Sequence, residues 1–327
     1  MRNDASRILA FAISTLLTLS AERAYAYCRT ETLTSTVPDL QQCRPSATDC
    51  CQLGKPLYWK NICVGYSIQN AGTRQIPFDR VREVIDNAFT KWSSVQCASG
   101  KAPSLTFQNL GNVACDEVHY NEEGPNQNVI IFRDTGWTHT DMNNTLGLTT
   151  ITFDSGTGEI LDADMEINTE KQTLTAYDPI PPNGYDFDSI VTHEVGHFLG
   201  MAHSGERTAT MWASYTPGNT SMRNLSPDDV SGVCSTYLAA DNQPGAQYGR
   251  RATTDGGAVA AGSCDPTPHR FFASDCNDNQ DIAGGGSACA VAPNIGATRE
   301  RSAFAALGMA LALGIRRARR AKKRPVR

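Results

Sequence analysis

Three of the chain's six histidines fall within the eleven residues of HEVGHFLGMAH, from His193 to His203. His193 and His197 are four apart, so on an α-helix they stand one turn apart on the same face, where two imidazoles can grip one metal ion. Gly200 follows three residues later, and glycine is the residue best able to take the left-handed conformation that ends a helix. The chain can then turn back and bring His203 to the same ion. Three neutral imidazoles leave a fourth tetrahedral position for water, which is the arrangement of a catalytic zinc site and not of a closed structural one. Glu194, beside the first of these histidines, is off their common vector and is placed to take a proton from a water at that position. A bare His-Glu-x-x-His arises by chance in roughly one chain in a hundred of this length. Adding the glycine and third histidine at fixed spacing lowers the odds to about one in a hundred thousand.

The full string resembles the metzincin pattern His-Glu-x-x-His-x-x-Gly-x-x-His, which continues to a methionine-containing turn. Met211, in TATMWASY, stands where that methionine is expected. Ser204 directly after the third histidine and Tyr215 four after the methionine make the chain similar to the matrixin (matrix metalloproteinase) branch. Astacins would carry a tyrosine two residues after the methionine, where this chain has Ala213. Many matrixins read Met-Tyr-Pro, whereas this chain reads Met211-Trp212-Ala213, a departure at the wall of the specificity pocket. The resemblance implies an α+β metzincin domain with a mixed twisted sheet, an active-site helix and a C-terminal helix. It implies one catalytic zinc on His193, His197 and His203, Glu194 as general base, and Trp212 and Tyr215 near the substrate pocket. Its substrate would be an extended peptide paired with a strand edge lying between Leu148 and Asn168. Matrixins also bind structural calcium through acidic loops, which makes Asp154, Asp162, Asp164 and Glu166 possible calcium ligands. The alternative for that face is the solvated side of a strand. No counterpart of the matrixins' second, structural zinc set is found beyond His139 and Asp141. The Pro-Arg-Cys-Gly propeptide string is missing, with QQCRPS around Cys43 a weak echo, so no thiol-displacing activation is expected.

The elements that must carry these residues are legible from about Pro56 to Tyr237. LYWKNICVGYSI alternates Val64, Tyr66 and Ile68 as a strand, and the following IPFDRVREVIDNAFTKWSSV puts Val81, Val84, Ile85, Ala88, Phe89 and Trp92 on one helical face. SLTFQNL, NVIIFRD and LGLTTITFD read as further strands. GEILDADMEIN sets Leu161, Ala163, Met165 and Ile167 against Asp162, Asp164, Glu166 and Asn168. The zinc helix follows, capped by Asp186 or Asp188. A last helix begins with Ser226 as cap and Pro227 at its first position, with Val230 and Val233 inward.

Around this unit, residues 1–26 read as a secretory signal peptide, with Arg2 and Arg7 before the run ILAFAISTLLTLS and small residues near the cleavage point. Export makes disulfides the default state of the eleven cysteines: Cys28, Cys43, Cys50, Cys51, Cys63, Cys97, Cys115, Cys234, Cys264, Cys276 and Cys289. Residues 27–55 form a Cys-rich extension and 56–237 the catalytic domain. Residues 238–301 form a Gly/Ala/Asp-rich linker in which Cys264 and Cys276 close a small loop, and Cys289 is the odd thiol. Residues 302–327 join an apolar run to RRARRAKKRPVR, an anchor that confines membrane contact to the tail or, with Cys289, a tail resembling the sorting signal of myxobacterial surface proteins. Without residues 1–26 and 316–327 the chain has 18 basic and 32 acidic residues, a net of −14 that argues against nucleic-acid partners. The function expected is that of a monomeric, exported zinc endopeptidase acting on proteins or peptides at the cell surface or outside it. The alternative is an inactive metzincin-fold adhesion or scaffold protein, which would tolerate loss of Glu194 or of a ligand.

Overall fold

The computed structural model describes residues 27–32, 54–139, 143–238 and 265–274, with the backbone of two short strands further on. Strand β1 (Cys28–Arg29) precedes β2 (Cys63–Gln69), helix α1 (Phe78–Ser94), β3 (Thr106–Val113), β4 (Val129–Phe132), β5 (Gly147–Phe153) and β6 (Ile160–Ile167). Next come β7 (Leu174–Thr175), β8 (Tyr185–Asp186), α2 (Phe187–Phe198), β9 (Met201–Ala202), β10 (Ser214–Tyr215) and α3 (Pro227–Thr236). The last two strands are β11 (Gly286–Cys289) and β12 (Ala292–Pro293).

The main sheet has the order β11-β5-β6-β4-β2-β3. Strands β2, β3, β4 and β6 run parallel, and β5 turns antiparallel against β6. Parallel neighbours need a long crossover, and α1 supplies the one from β2 to β3. The fold is therefore α+β with a mixed sheet, as expected from the alternating strand and helix patterns. The α1 face Val81, Val84, Ile85, Ala88, Phe89 and Trp92 is buried, matching its period. Phe89 stacks on Tyr66 of β2 at 3.9 Å between centroids and meets Phe198 of α2 edge-on at 5.1 Å. These rings lock α2 to α1 and the sheet. The disulfide Cys97–Cys234 ties the loop after α1 to α3, and Cys28, Cys63 and Cys115 are also disulfide-bonded.

Two expectations are corrected, and two segments flanking residues 56–237 pair with the domain. The acidic side of β6 is not solvated: Asp162, Asp164 and Glu166 are all buried, because the loop from β3 to β4 folds over them. Val230 is half-buried, and α3 instead turns Asp228, Asp229, Gly232 and Val233 inward. Of the N-terminal extension, β1 pairs antiparallel with β9, and Thr30 N donates to the Gly200 carbonyl at 2.9 Å. Described parts of the 238–301 linker also pair with the domain. Residues 265–274 lie along the β3–β4 loop through Ala114 N to Ser274 O and Asn126 N to Phe271 O, both 2.8 Å, and β11 pairs with β5. The signal peptide, Asp141, the proposed Cys264–Cys276 loop and the 302–327 tail lie outside the described residues.

Candidate active site

Helix α2 starts where Asp186, with extended backbone, accepts from Ser189 N at 3.0 Å and Ser189 Oγ at 2.7 Å. Asp186 is the cap; Asp188 instead pairs with Lys91 of α1 at 2.6 Å. Trp92 Nε1 donates to the carbonyl of Thr192 at 2.8 Å, which fixes the helix one residue before His193. The helix stops at Leu199, and Gly200 turns the chain with φ +81°, as its place in the motif predicts. A Cβ at Gly200 would also stand 2.6 Å from the Leu57 carbonyl oxygen, so both conformation and space demand glycine there.

His193, Glu194 and His197 are fully buried, and His203 is half-buried. His197 Nε2 lies 3.1 Å from His193 Nε2 and 3.2 Å from His203 Nε2, and the three ligand atoms fall within 4.8 Å of one another. Zinc–nitrogen bonds of about 2.0–2.1 Å in a tetrahedron would separate ligand nitrogens by about 3.3–3.4 Å, so this spacing fits one zinc ion. The tautomers fit as well. His193 Nδ1 faces the Thr210 carbonyl at 2.6 Å and His197 Nδ1 the Met201 carbonyl at 2.8 Å. A carbonyl can only accept, so each Nδ1 carries the proton and each Nε2 presents a lone pair inward. Burial first, then repulsion among the imidazoles, holds His193 down at about 3 and His197 well below its usual value, which keeps both neutral.

Glu194 points toward β5. Thr149 Oγ1 donates to Glu194 Oε2 at 2.6 Å, and Gly147 leaves room for the carboxylate: a Cβ there would stand 2.8 Å from Oε1. Neither residue was singled out by the sequence, because a threonine and a glycine in a strand carry no motif.

Met211 lies beneath α2, its sulfur against Gly196 between the two helical histidines; a Cβ on Gly196 would collide with it and with Trp92. The turn carrying Met211 is held from α3. Asp229 accepts from Thr210 N at 2.7 Å, Met211 N at 3.1 Å and Ser226 N at 2.8 Å, while Asp228 accepts from Ser204 Oγ at 2.6 Å. The two aspartates thus anchor the loop after His203 and the methionine turn together. The capping box Ser226-x-x-Asp229 was the available signal, but its partners are distant in sequence. Trp212 is half-buried under the Arg207 guanidinium, 5.4 Å from its ring centroid. Tyr215 is buried in β10, its hydroxyl donating to the Asn219 carbonyl.

The four acidic residues considered for calcium do not converge on one point. Asp154 accepts from Thr157 N and Oγ1 in its own turn. Asp164 accepts from His119 N and Val129 N, both at 2.9 Å. Burial would raise Glu166, but bonds to His139 and Arg133, each 2.6 Å, hold it below its ordinary value. Asp162 is buried beside Asp164. Among the described residues, only the histidine triad gathers three or more metal-ligating side chains.

The chain is similar to known proteins over this region. Residues 58–238 match the model of the family described as Matrixin. Human neutrophil collagenase is 26% identical over 184 residues, 56% of this chain and 34% of that protein. Human matrilysin is 39% identical over 59 residues, covering 18% of this chain and 22% of that one. Metalloendoproteinase 1-MMP of Arabidopsis thaliana is 44% identical over 52 residues, 16% of this chain and 14% of its own. The chain thus spans about a third or less of the length of these curated relatives. The family match ends before the C-terminal tail and lends no support to the sorting-signal resemblance. Because the match covers more than half of the chain and includes the zinc-fitting triad, Met211 and the α3 anchor, the chain belongs to the matrixin family.

Proposed function

We propose that residues 56–237 act as a zinc endopeptidase on extracellular proteins or peptides. The observation that carries this reading is the convergence of three histidine Nε2 atoms beside a buried Glu194 that Thr149 orients. Zinc held by His193, His197 and His203 would polarise the scissile carbonyl and lower the pKa of water at its open position. Glu194 takes the proton of the attacking water and passes it to the leaving amine. The Thr149 hydroxyl fixes one carboxylate oxygen of Glu194. Thr210 and Met201 carbonyls hold the imidazole tautomers, so no reorganisation is needed as charge develops. Trp212 and Tyr215 shape the pocket beside the cleft, and an extended substrate pairs through main-chain bonds with the side of β5 away from β6. Export to the surface or the medium accords with matrixins being typically secreted.

Glu194→Ala tests the scheme. Zinc content should stay at about one per chain while peptide cleavage falls roughly 10²–10⁴-fold. Undiminished cleavage by that variant would rule the scheme out. Cleavage of a peptide library by the wild-type chain then reads the preference set by Trp212 and Tyr215.

A further inference from the structure

The β5 edge that a substrate would use is taken by the chain itself. Strand β11 pairs antiparallel with β5 over four residues: Gly286 opposite Thr152, Ser287 opposite Ile151, Ala288 opposite Thr150 and Cys289 opposite Thr149. Thr149 is the residue whose hydroxyl holds Glu194. Two residues later the same segment pairs again, now parallel to β10, with Ala292 opposite Ser214 and Pro293 opposite Tyr215. Strand β10 follows the turn of Thr210 and Met211, and Thr210 supplies the carbonyl that holds His193. One short segment therefore touches the rim beside Glu194 and the rim beyond the methionine turn.

The directions are consistent with a single peptide in a slot. Antiparallel to β5 and parallel to β10, the segment requires those two strands to run opposite ways, as the two sides of a cleft do. Three peptide steps, at most about 11 Å of chain, join Cys289 to Ala292 across the two pairings. Composition agrees too. Residues 283–298, AGGGSACAVAPNIGAT, carry no charge and mostly small side chains, so an extended backbone can enter without desolvating an ion.

We infer that the segment Gly286–Pro293 is an in-cis occupant of the substrate cleft that competes with peptide substrates for the β5 and β10 edges. This rests on the endopeptidase reading for what it blocks, but the pairing itself does not depend on catalysis. Competition acts through main-chain bonds, so it needs no thiol. Because the occupant is tethered, its effective concentration is high, and a weak strand pairing suffices to exclude free peptide.

The test uses zinc-loaded protein carrying Glu194→Ala, which keeps the tail uncut. Three chains are compared: the full chain, a chain ending at Gly285, and a full chain whose residues 286–293 are replaced by Gly and Ser. The probe is a fluorescein-labelled peptide of residues 286–295 bearing Cys289→Ser, and binding is read by anisotropy. Both altered chains should bind it at least tenfold more tightly than the full chain does. Equal binding by all three, or binding by none, overturns the inference. The gain in the Gly/Ser chain guards against a truncation that misfolds. Separately, the chain ending at Gly285 with Glu194 intact is assayed against casein. Probe binding without casein cleavage would leave the occupancy standing and sink the endopeptidase reading.

Discussion

The main sheet carries buried ionisable side chains on both faces, and the two clusters are assembled differently. On the helix side, His193, Glu194 and His197 come from five consecutive residues of α2, and His203 follows after one turn. On the other side, Asp164 and Glu166 of β6 find partners at His119, Val129, Arg133 and His139, all outside that strand, and Asp162 is buried beside Asp164. In the first cluster His193 and His197 are neutral, and all three Nε2 atoms converge on a common space. The second turns its carboxyl groups onto backbone amides, a guanidinium and an imidazole. One is built to take an ion from outside, the other to satisfy itself.

Removing a ligand should separate them most sharply. His197→Ala deletes the imidazole that lies within 3.2 Å of both others, so the variant should retain no zinc after dialysis and no measurable peptide cleavage. Elemental analysis and a peptide assay check this. Retention of stoichiometric zinc would mean that the ion sits elsewhere.

The contrast also explains what the sequence could and could not disclose. The triad, Gly200 and Met211 were legible because helix period, turn and spacing are all local. The six-residue buried face of α1 was legible for the same reason. The acidic face of β6 was misread because alternation reports only that two faces differ, and the cover comes from a loop some forty residues away. Val230 was misread as inward for a related reason. The α3 period named an apolar face, but Asp228 and Asp229 had claimed the burial to hold Ser204, Thr210 and Met211. Thr149 and Gly147 act on Glu194 only because β5 lies beside α2, a relation no local pattern encodes.

Asp229 sharpens the comparison, since it is a buried carboxylate that serves the metal side. It satisfies three backbone amides, at Thr210, Met211 and Ser226. Asp229→Ala would leave those donors without their acceptor, costing about 2–4 kcal/mol of stability. Because Thr210 also supplies the carbonyl for His193, zinc affinity should weaken about 10–100-fold. Urea unfolding with zinc in excess measures the first effect and a competing chelator the second. Unchanged zinc affinity in a destabilised variant would confine Asp229 to capping α3.

The smallest effect expected lies on the opposite face and appears only as a pH dependence. Burial pushes the Asp164 carboxyl up to about 8 and Asp162 well above its ordinary value, with repulsion between neighbouring carboxylates adding to both. In the unfolded chain both titrate at about 3.9. Between about pH 4 and pH 8 the folded state therefore holds protons that the unfolded state has released. Stability must fall as pH rises through that window, by up to about 1.4 kcal/mol per pH unit for each proton retained. Asp162→Asn removes one titrating group, so its stability should fall less steeply. Loss of zinc in acid acts with the opposite sign, but both chains share the histidine triad, so the difference between them isolates the pair. Urea midpoints at pH 5.5 and pH 8 provide the measurement. Parallel pH profiles for the two chains would show that Asp162 and Asp164 are ionised in the folded protein, their charge met by the amides of His119 and Val129.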